Sequence, residues 1–240
     1  MFKIKIAELV ISIDNQYDFV KRVCKDYIVD NSFDASFSVA VSKKEIDDEK
    51  KVANGNFSNG YIESTCIYRK ICKIIPDYNA FLLHSAVVKI DGFAYAFTAS
   101  SGTGKTTHIK LWKKLLGEKV SVINGDKPII RIIEGKPYIY GTPWCGKEGY
   151  NINDYAPLKA ICFIERGDKN IIEPFKMQLA VQKIINQLII PDRPETVAKL
   201  LELLDVTLKQ VDVWNLKCNM DISAAELSYN IMKDGINNEN

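Results

Sequence analysis

The chain has 240 residues, of which 47% are hydrophobic and 26% charged, with a formal net charge of +2. That composition describes a globular protein with a sizeable core, either one domain or one domain with a small appendage, and argues against a disordered chain. A near-neutral balance makes no case for nucleic acid or a membrane surface as partner, and no apolar run approaches the ~20 residues that a bilayer-spanning helix needs.

The first residues, Met1-Phe2-Lys3-Ile4-Lys5-Ile6, are interrupted by charge and do not read as a signal peptide. Residues 3–13 read as one strand and 16–27 as a helix whose Phe19, Val20, Val23 and Tyr27 share a face. Residues 33–41 alternate and read as a second strand, while the highly charged 43–51 reads as solvated surface. Residues 61–75 read as a helix running up to Pro76. These elements make a small α+β N-terminal lobe over 1–78 without recognisable chemistry, packed on the remainder of the chain.

From 79 to 236 the pattern changes to that of an α/β domain. Residues 81–90 read as a strand, Asp91-Gly92 as a two-residue hairpin turn, and 93–98 as the return strand. A helix over 107–116 stops at Gly117, and 119–123 is a strand. Residues 128–133 and 137–140 pair across Glu134-Gly135-Lys136, and 158–165 is an apolar strand ending at Arg166-Gly167-Asp168. Two helices come next, over 176–190 and 193–204, either covering a ligand or packing on the core. Then come a strand over 210–216 and an amphipathic helix over 223–232, capped by Asp221 or Ser223. The tail 237–240 reads as disordered. The six cysteines (Cys24, Cys66, Cys72, Cys145, Cys162, Cys218) include no C-x-x-C pair, and His84 and His108 are the only histidines. That argues against zinc and suits reduced, buried thiols in a cytoplasmic protein.

The stretch that carries chemistry is Ala99-Ser100-Ser101-Gly102-Thr103-Gly104-Lys105-Thr106-Thr107. It stands between a strand and a helix, the context in which a Gly-rich loop ending in Gly-Lys-Thr cradles phosphate. Backbone N–H groups of Ser101 to Thr107 would converge on phosphate oxygens, helped by the helix N-terminus. Lys105 would reach the terminal phosphates and the Thr106 hydroxyl would ligate Mg²⁺. Ala99 stands where the first glycine of the motif belongs, which the loop tolerates if that residue avoids positive φ. Strand ends gather at one sheet edge in such folds, so His84 and Asp126 should both face the terminal phosphate. Asp126 would hold Mg²⁺ together with Thr106, and His84 would move a proton, donate a hydrogen bond or help hold metal.

Three elements in order, Leu82-Leu83-His84-Ser85-Ala86, the loop, and Asn124-Gly125-Asp126, resemble the HPr kinase/phosphorylase group and the nucleotide-binding half of phosphoenolpyruvate carboxykinase. The resemblance covers about residues 81–128 and weakens towards 149. It implies a mixed-sheet P-loop domain, ATP and Mg²⁺ as cofactors, His84 as the active-site histidine, Lys105 as the phosphate lysine, Thr106 as the metal-binding hydroxyl and Asp126 as the second aspartate of the family pair. Gly125 replaces the first, which leaves the general base open among His84, Asp126 and a residue elsewhere. The HPr kinase C-terminal signature and the cationic oxaloacetate pocket of the carboxykinases are both absent, so the better match is the set of smaller HPr-kinase-related proteins.

Gly141-Thr142-Pro143-Trp144-Cys145-Gly146-Lys147-Glu148-Gly149 is the second unusual stretch. Trp144 as a pocket wall, Lys147 against phosphate and Glu148 near the metal form one reading, favoured by related kinases with a Gly-x-Pro-Trp segment. A packed turn with Trp144 in the core is the other. The expectation is an ATP- and Mg²⁺-dependent kinase acting on a hydroxyl of a peptide, a small protein or a small alcohol such as serine. A nucleotide-binding regulatory module and a carboxykinase-like enzyme are the alternatives.

Overall fold

The computed structural model describes residues 1–235; the tail expected to be disordered lies outside them. The chain opens with β1 (Phe2–Ile6) and β2 (Leu9–Asp14). They are antiparallel strands joined at Ala7 and Glu8, both with positive φ (47° and 58°). One strand was expected over 3–13. The turn escapes notice in the sequence because neither residue is a usual two-residue hairpin former, and Ala7 is itself buried.

Next come α1 (Asp18–Val23) with a 3₁₀ turn over Lys25–Tyr27, β3 (Ile28–Val29) and β4 (Phe37–Ala40). The sheet order is β3-β1-β2-β4. The charged stretch is a regular helix, α2 (Lys43–Val52), started by a capping box in which Ser42 and Glu45 bond reciprocally. α3 (Asn59–Ile74), capped by Ser58, supplies a buried face of Ile62, Ile67 and Ile71.

The second sheet begins with β5 (Ala80–Leu82) and β6 (Ser85–Ile90), which the sequence reads as one strand. They separate because β5 pairs with β9 (Ile129–Ile133), whereas β6 pairs with β7 (Phe93–Thr98) and β8 (Ser121–Asn124). The residues between them, Leu83 and His84, leave the ladder. His84 N–H donates to Gln187 O (2.9 Å) and its carbonyl accepts from Thr98 Oγ1 (2.9 Å), so its backbone is satisfied elsewhere.

α4 (Lys105–Leu116) follows β7 through the Gly-rich loop, and β9 turns through Glu134-Gly135 into β10 (Lys136–Tyr140). The longest strand, β11 (Tyr155–Arg166), pairs antiparallel with β10 at its start and parallel with β7 and with β13 (Asp212–Cys218) further on. β12 (Ile171–Pro174), absent from the sequence reading because only two apolar residues mark it, adds to β13. The path is β5-β9-β10-β11-β7-β6-β8, with β13 and β12 branching from β11.

Helices cover both faces. α4 and α7 (Ile222–Asp234, capped by Asp221) pack on Tyr95, Phe97, Ala160 and Cys162. α5 (Met177–Ile185) and α6 (Pro194–Gln210) pack on Ala94, Ala96, Ile161 and Phe163. Successive residues of β7 thus enter opposite cores, which is why its sequence is apolar without alternation. A third core joins β1, β2 and α3 to Leu82, Ile129, Tyr140 and Trp144. Among the described residues no helix is long and apolar enough to cross a membrane, and the six cysteines are free.

Candidate nucleotide and phosphoryl-transfer site

β7, β8 and β11 end at one edge of the second sheet, and antiparallel β6 begins there. The Gly-rich loop leaves β7 at this edge. Ala99 does not adopt positive φ and lies in the α4 core, so a glycine is not needed there. Gly102 and Gly104 do need their freedom, with φ of 76° and 131°. A Cβ built on either would meet nothing within 4 Å, so the space over the loop is open. Gly104 is the residue before α4 and offers no side-chain cap, which leaves the first N–H groups of the helix available to an anion.

Lys105 is buried, with its Nζ donating to Ala99 O at 3.0 Å, so the ammonium lies folded back over the loop. Burial holds its pKa below the usual lysine range, while Asp126 opposes that shift. Arg166, from the end of β11, braces the loop from outside: Nη2 donates to Gly102 O (2.6 Å) and Nε to Thr103 O (3.3 Å). The sequence marks Arg166 only as the end of an apolar strand; the parallel pairing of β11 with β7 brings it here. Thr106 sits half-buried in the first turn of α4.

The structure brings His84 and Asp126 together. His84 Nε2 lies 2.8 Å from Asp126 Oδ1, and Lys127 Nζ donates to Asp126 Oδ2. Burial opposes the charge on Asp126, but the bonds from His84 and Lys127, with the Lys127 charge, outweigh it and hold the carboxyl well below the usual carboxylate range. Ser101, His84, Asp126, Lys127 and Gln187 line one cavity of about 390 Å³. A second, of about 370 Å³, runs from Ser100 and Thr103 to Lys183 and Gln187. A third, of about 650 Å³, opens on the other side of the loop between Thr107, Leu111, Ile164 and Met220.

Two placements come from the residues just before Asp126, to which the sequence assigned no role of their own. Asn124, fully buried, accepts from the N–H groups of Asp126 (2.9 Å) and Lys127 (2.7 Å) and donates to Thr142 O and Trp144 O (both 3.1 Å). Gly125 donates its N–H to Tyr150 O (2.8 Å), and a Cβ there would come within 3.3 Å of Tyr150 Cβ. Tyr150 therefore occupies the space towards which a first aspartate would project.

The 141–149 loop divides. Trp144 is taken into the interior, donating to Ser64 Oγ (3.0 Å) and lying against Tyr68 with ring centroids 5.4 Å apart. It is a core residue rather than a pocket wall. Gly146 lies near Asp126: a Cβ built there would be 3.7 Å from Asp126 Cβ. Lys147 is exposed, and Glu148 pairs with Lys110 (3.5 Å) on α4 rather than with the Asp126 cluster. Among the described residues no group of three His, Cys, Asp or Glu side chains gathers to hold a metal ion. A Mg²⁺ ion would have to draw on Thr106, Asp126, water and the ligand's own phosphates. Both Asp126 oxygens already carry a donor, so metal would share an oxygen or displace Lys127.

No protein-family model matches the chain, and no curated protein matches it either. Among solved structures it is similar to the Hpr(Ser) kinase/phosphatase from Coxiella burnetii, with a TM-score of 0.33 and 7% sequence identity over 64% of this chain and 99% of that one. At that level the similarity carries no residue assignments, which rest on the geometry of the loop and the Asp126 cluster.

Proposed function

We propose that this protein binds a nucleoside triphosphate with Mg²⁺ and transfers its γ-phosphoryl group to a hydroxyl acceptor. One observation supports this above all. An open two-glycine loop runs into an uncapped helix N-terminus, and Ser101 of that loop lines the same cavity as Asp126, a carboxylate kept charged by His84 and Lys127. In this reading the loop amides and Lys105 hold the β- and γ-phosphates, and Thr106 and Asp126 hold Mg²⁺. The nucleoside lies towards the cavity of about 650 Å³, against Leu111, Ile164 and Met220, and the acceptor enters from the His84 side. The acceptor oxygen bonds to the γ-phosphorus, the bond to the β-phosphate oxygen breaks, the diphosphate leaves and the hydroxyl proton passes to Asp126. Such a transfer depends on position and charge neutralisation more than on covalent chemistry by the protein. The acceptor is a serine or threonine hydroxyl or a small alcohol.

A second reading, nucleotide binding without transfer, draws on Tyr150 standing where a first aspartate would project. Thermal unfolding with ATP, ADP and GTP, each with Mg²⁺, on wild type and Lys105→Ala separates these outcomes. A ligand at about 100 times its Kd stabilises the folded state by about 2.7 kcal/mol. The expected result is a Mg²⁺-dependent rise in Tm that Lys105→Ala loses while keeping its unliganded Tm within a few degrees. An equal response in the variant would remove Lys105 from the site. Stabilisation by nucleotide with no labelled phosphate reaching serine, serine peptides or water would favour the second reading.

A further inference from the structure

The connection between α5 and α6 carries a side chain that no motif marks. Gln187 closes the end of α5, its N–H donating to Ile184 O at 2.7 Å, and its side chain is turned towards His84. His84 is then held at four points. Its N–H and carbonyl bond to Gln187 O and Thr98 Oγ1, its Nε2 lies 2.8 Å from Asp126 Oδ1, and its Nδ1 lies 3.1 Å from Gln187 Oε1. Each ring nitrogen offers one hydrogen-bonding position, and both are taken by protein. A carboxylate offers about four such positions, so Asp126 keeps capacity for an incoming hydroxyl after bonding His84 and Lys127.

We infer that Gln187 is a positioning residue of this site: its side-chain amide fixes the His84 ring so that His84 holds Asp126 instead of taking the acceptor's proton itself. The inference rests on the proposed phosphoryl transfer. An amide suits this task for a chemical reason. With Oε1 facing Nδ1, the ring donates from both nitrogens and carries a proton on each. With the amide turned over, its NH₂ donates to a bare Nδ1 and the ring is neutral. Gln187 thus holds the ring in one orientation through both proton states. A carboxylate there would accept only, and an apolar side chain would do neither. The other charged groups around the ring are Asp126 and Lys127 from the turn after β8, and Lys105 from α4, which interacts with both. The α5–α6 connection contributes the neutral Asn186, Gln187 and Leu188 to this cavity.

The test uses the full chain and reads the ring directly. There are only two histidines, and Gln187 bonds to His84 while His108 bonds to Ser228, so imidazole NMR signals that change on substitution at residue 187 report His84. Gln187→Leu, which removes the partner of Nδ1, should shift and broaden the His84 ring nitrogen signals, and Gln187→Glu, which still accepts at Nδ1, should restore one sharp set. Both variants keep the backbone bond from His84 N–H to the carbonyl of residue 187, and unchanged His108 signals check the fold. The kcat of Mg²⁺-ATP turnover should fall about tenfold in Gln187→Leu and recover in Gln187→Glu, with KM for nucleotide little altered. His84 ring signals alike in wild type and both variants overturn the inference, whether or not nucleotide binds. A ring that shifts in a protein that binds no nucleotide upholds the hold of Gln187 on His84 and overturns only the functional reading in which it is placed.

Discussion

Asn124 places more of this site than any residue with an evident role. It carries no charge and no nucleophile, yet from a fully buried side chain it sets the backbone of Asp126 and Lys127 and ties them to the 142–144 loop. His108 is its counterpart inside α4. Buried between α4 and α7, with its Nε2 3.0 Å from Ser228 Oγ and its Nδ1 without a partner, it belongs to the core rather than to the ligand. Burial depresses its pKa from 6.5 to about 4, so the folded state resists protonation where the unfolded state accepts it. The unfolded chain therefore binds more protons between these values, and stability falls as pH falls through that window. From these values, wild type should lose about 2 kcal/mol more than His108→Gln between pH 7.5 and pH 5, measured by urea unfolding at both. Equal losses would show that His108 remains neutral, or becomes charged, alike in both states.

At the scale of elements, the loop and α4 act together because the two glycines allow the chain to turn into the helix with its N–H groups facing open space. Gly104→Ala should cost about 1–3 kcal/mol, the usual range for a side chain forced into such a backbone conformation, and should abolish the Mg²⁺-nucleotide response. Gly92→Ala, at the β6–β7 hairpin with φ of 81°, supplies the control: it should also destabilise but leave the nucleotide response intact. Loss of the response in both variants would make the loop no more sensitive than any other turn. The break between β5 and β6 is the other decisive element. By leaving the ladder, His84 gains the freedom to face Asp126 from the next strand pair.

For the whole molecule, Trp144 links what the chain order keeps apart. Its indole bonds Ser64 on α3, its carbonyl receives Asn124, and its ring fills the core shared with the N-terminal sheet. Tyr27 adds a bond to Ile152 O at 2.9 Å across the same boundary. Trp144→Ala should cost about 3–5 kcal/mol, the range for a large buried aromatic side chain. Far-UV circular dichroism and nucleotide-dependent Tm should report one common transition in wild type. A loss below about 1 kcal/mol would place Trp144 outside the core.

The sequence by itself determined most of the elements and the place of the Gly-rich loop between a strand and a helix. Apolar periodicity, the Asp91-Gly92 turn and Gly102-Thr103-Gly104-Lys105 are local signals, since a φ angle, a hairpin or a helix start depends on a few neighbouring residues. It paired His84 with Asp126 through the order of motifs and the rule that strand ends meet at a sheet edge. It missed the Ala7-Glu8 turn, merged β5 with β6, and left Trp144 between two roles. Gln187, Arg166 and Asn124 were illegible as site residues for the same reason: each acts through a hydrogen bond to a segment distant in the chain. Only the parallel pairing of β11 with β7, and the return of the α5–α6 connection over His84, decided which of these side chains reach the loop and the Asp126 cluster.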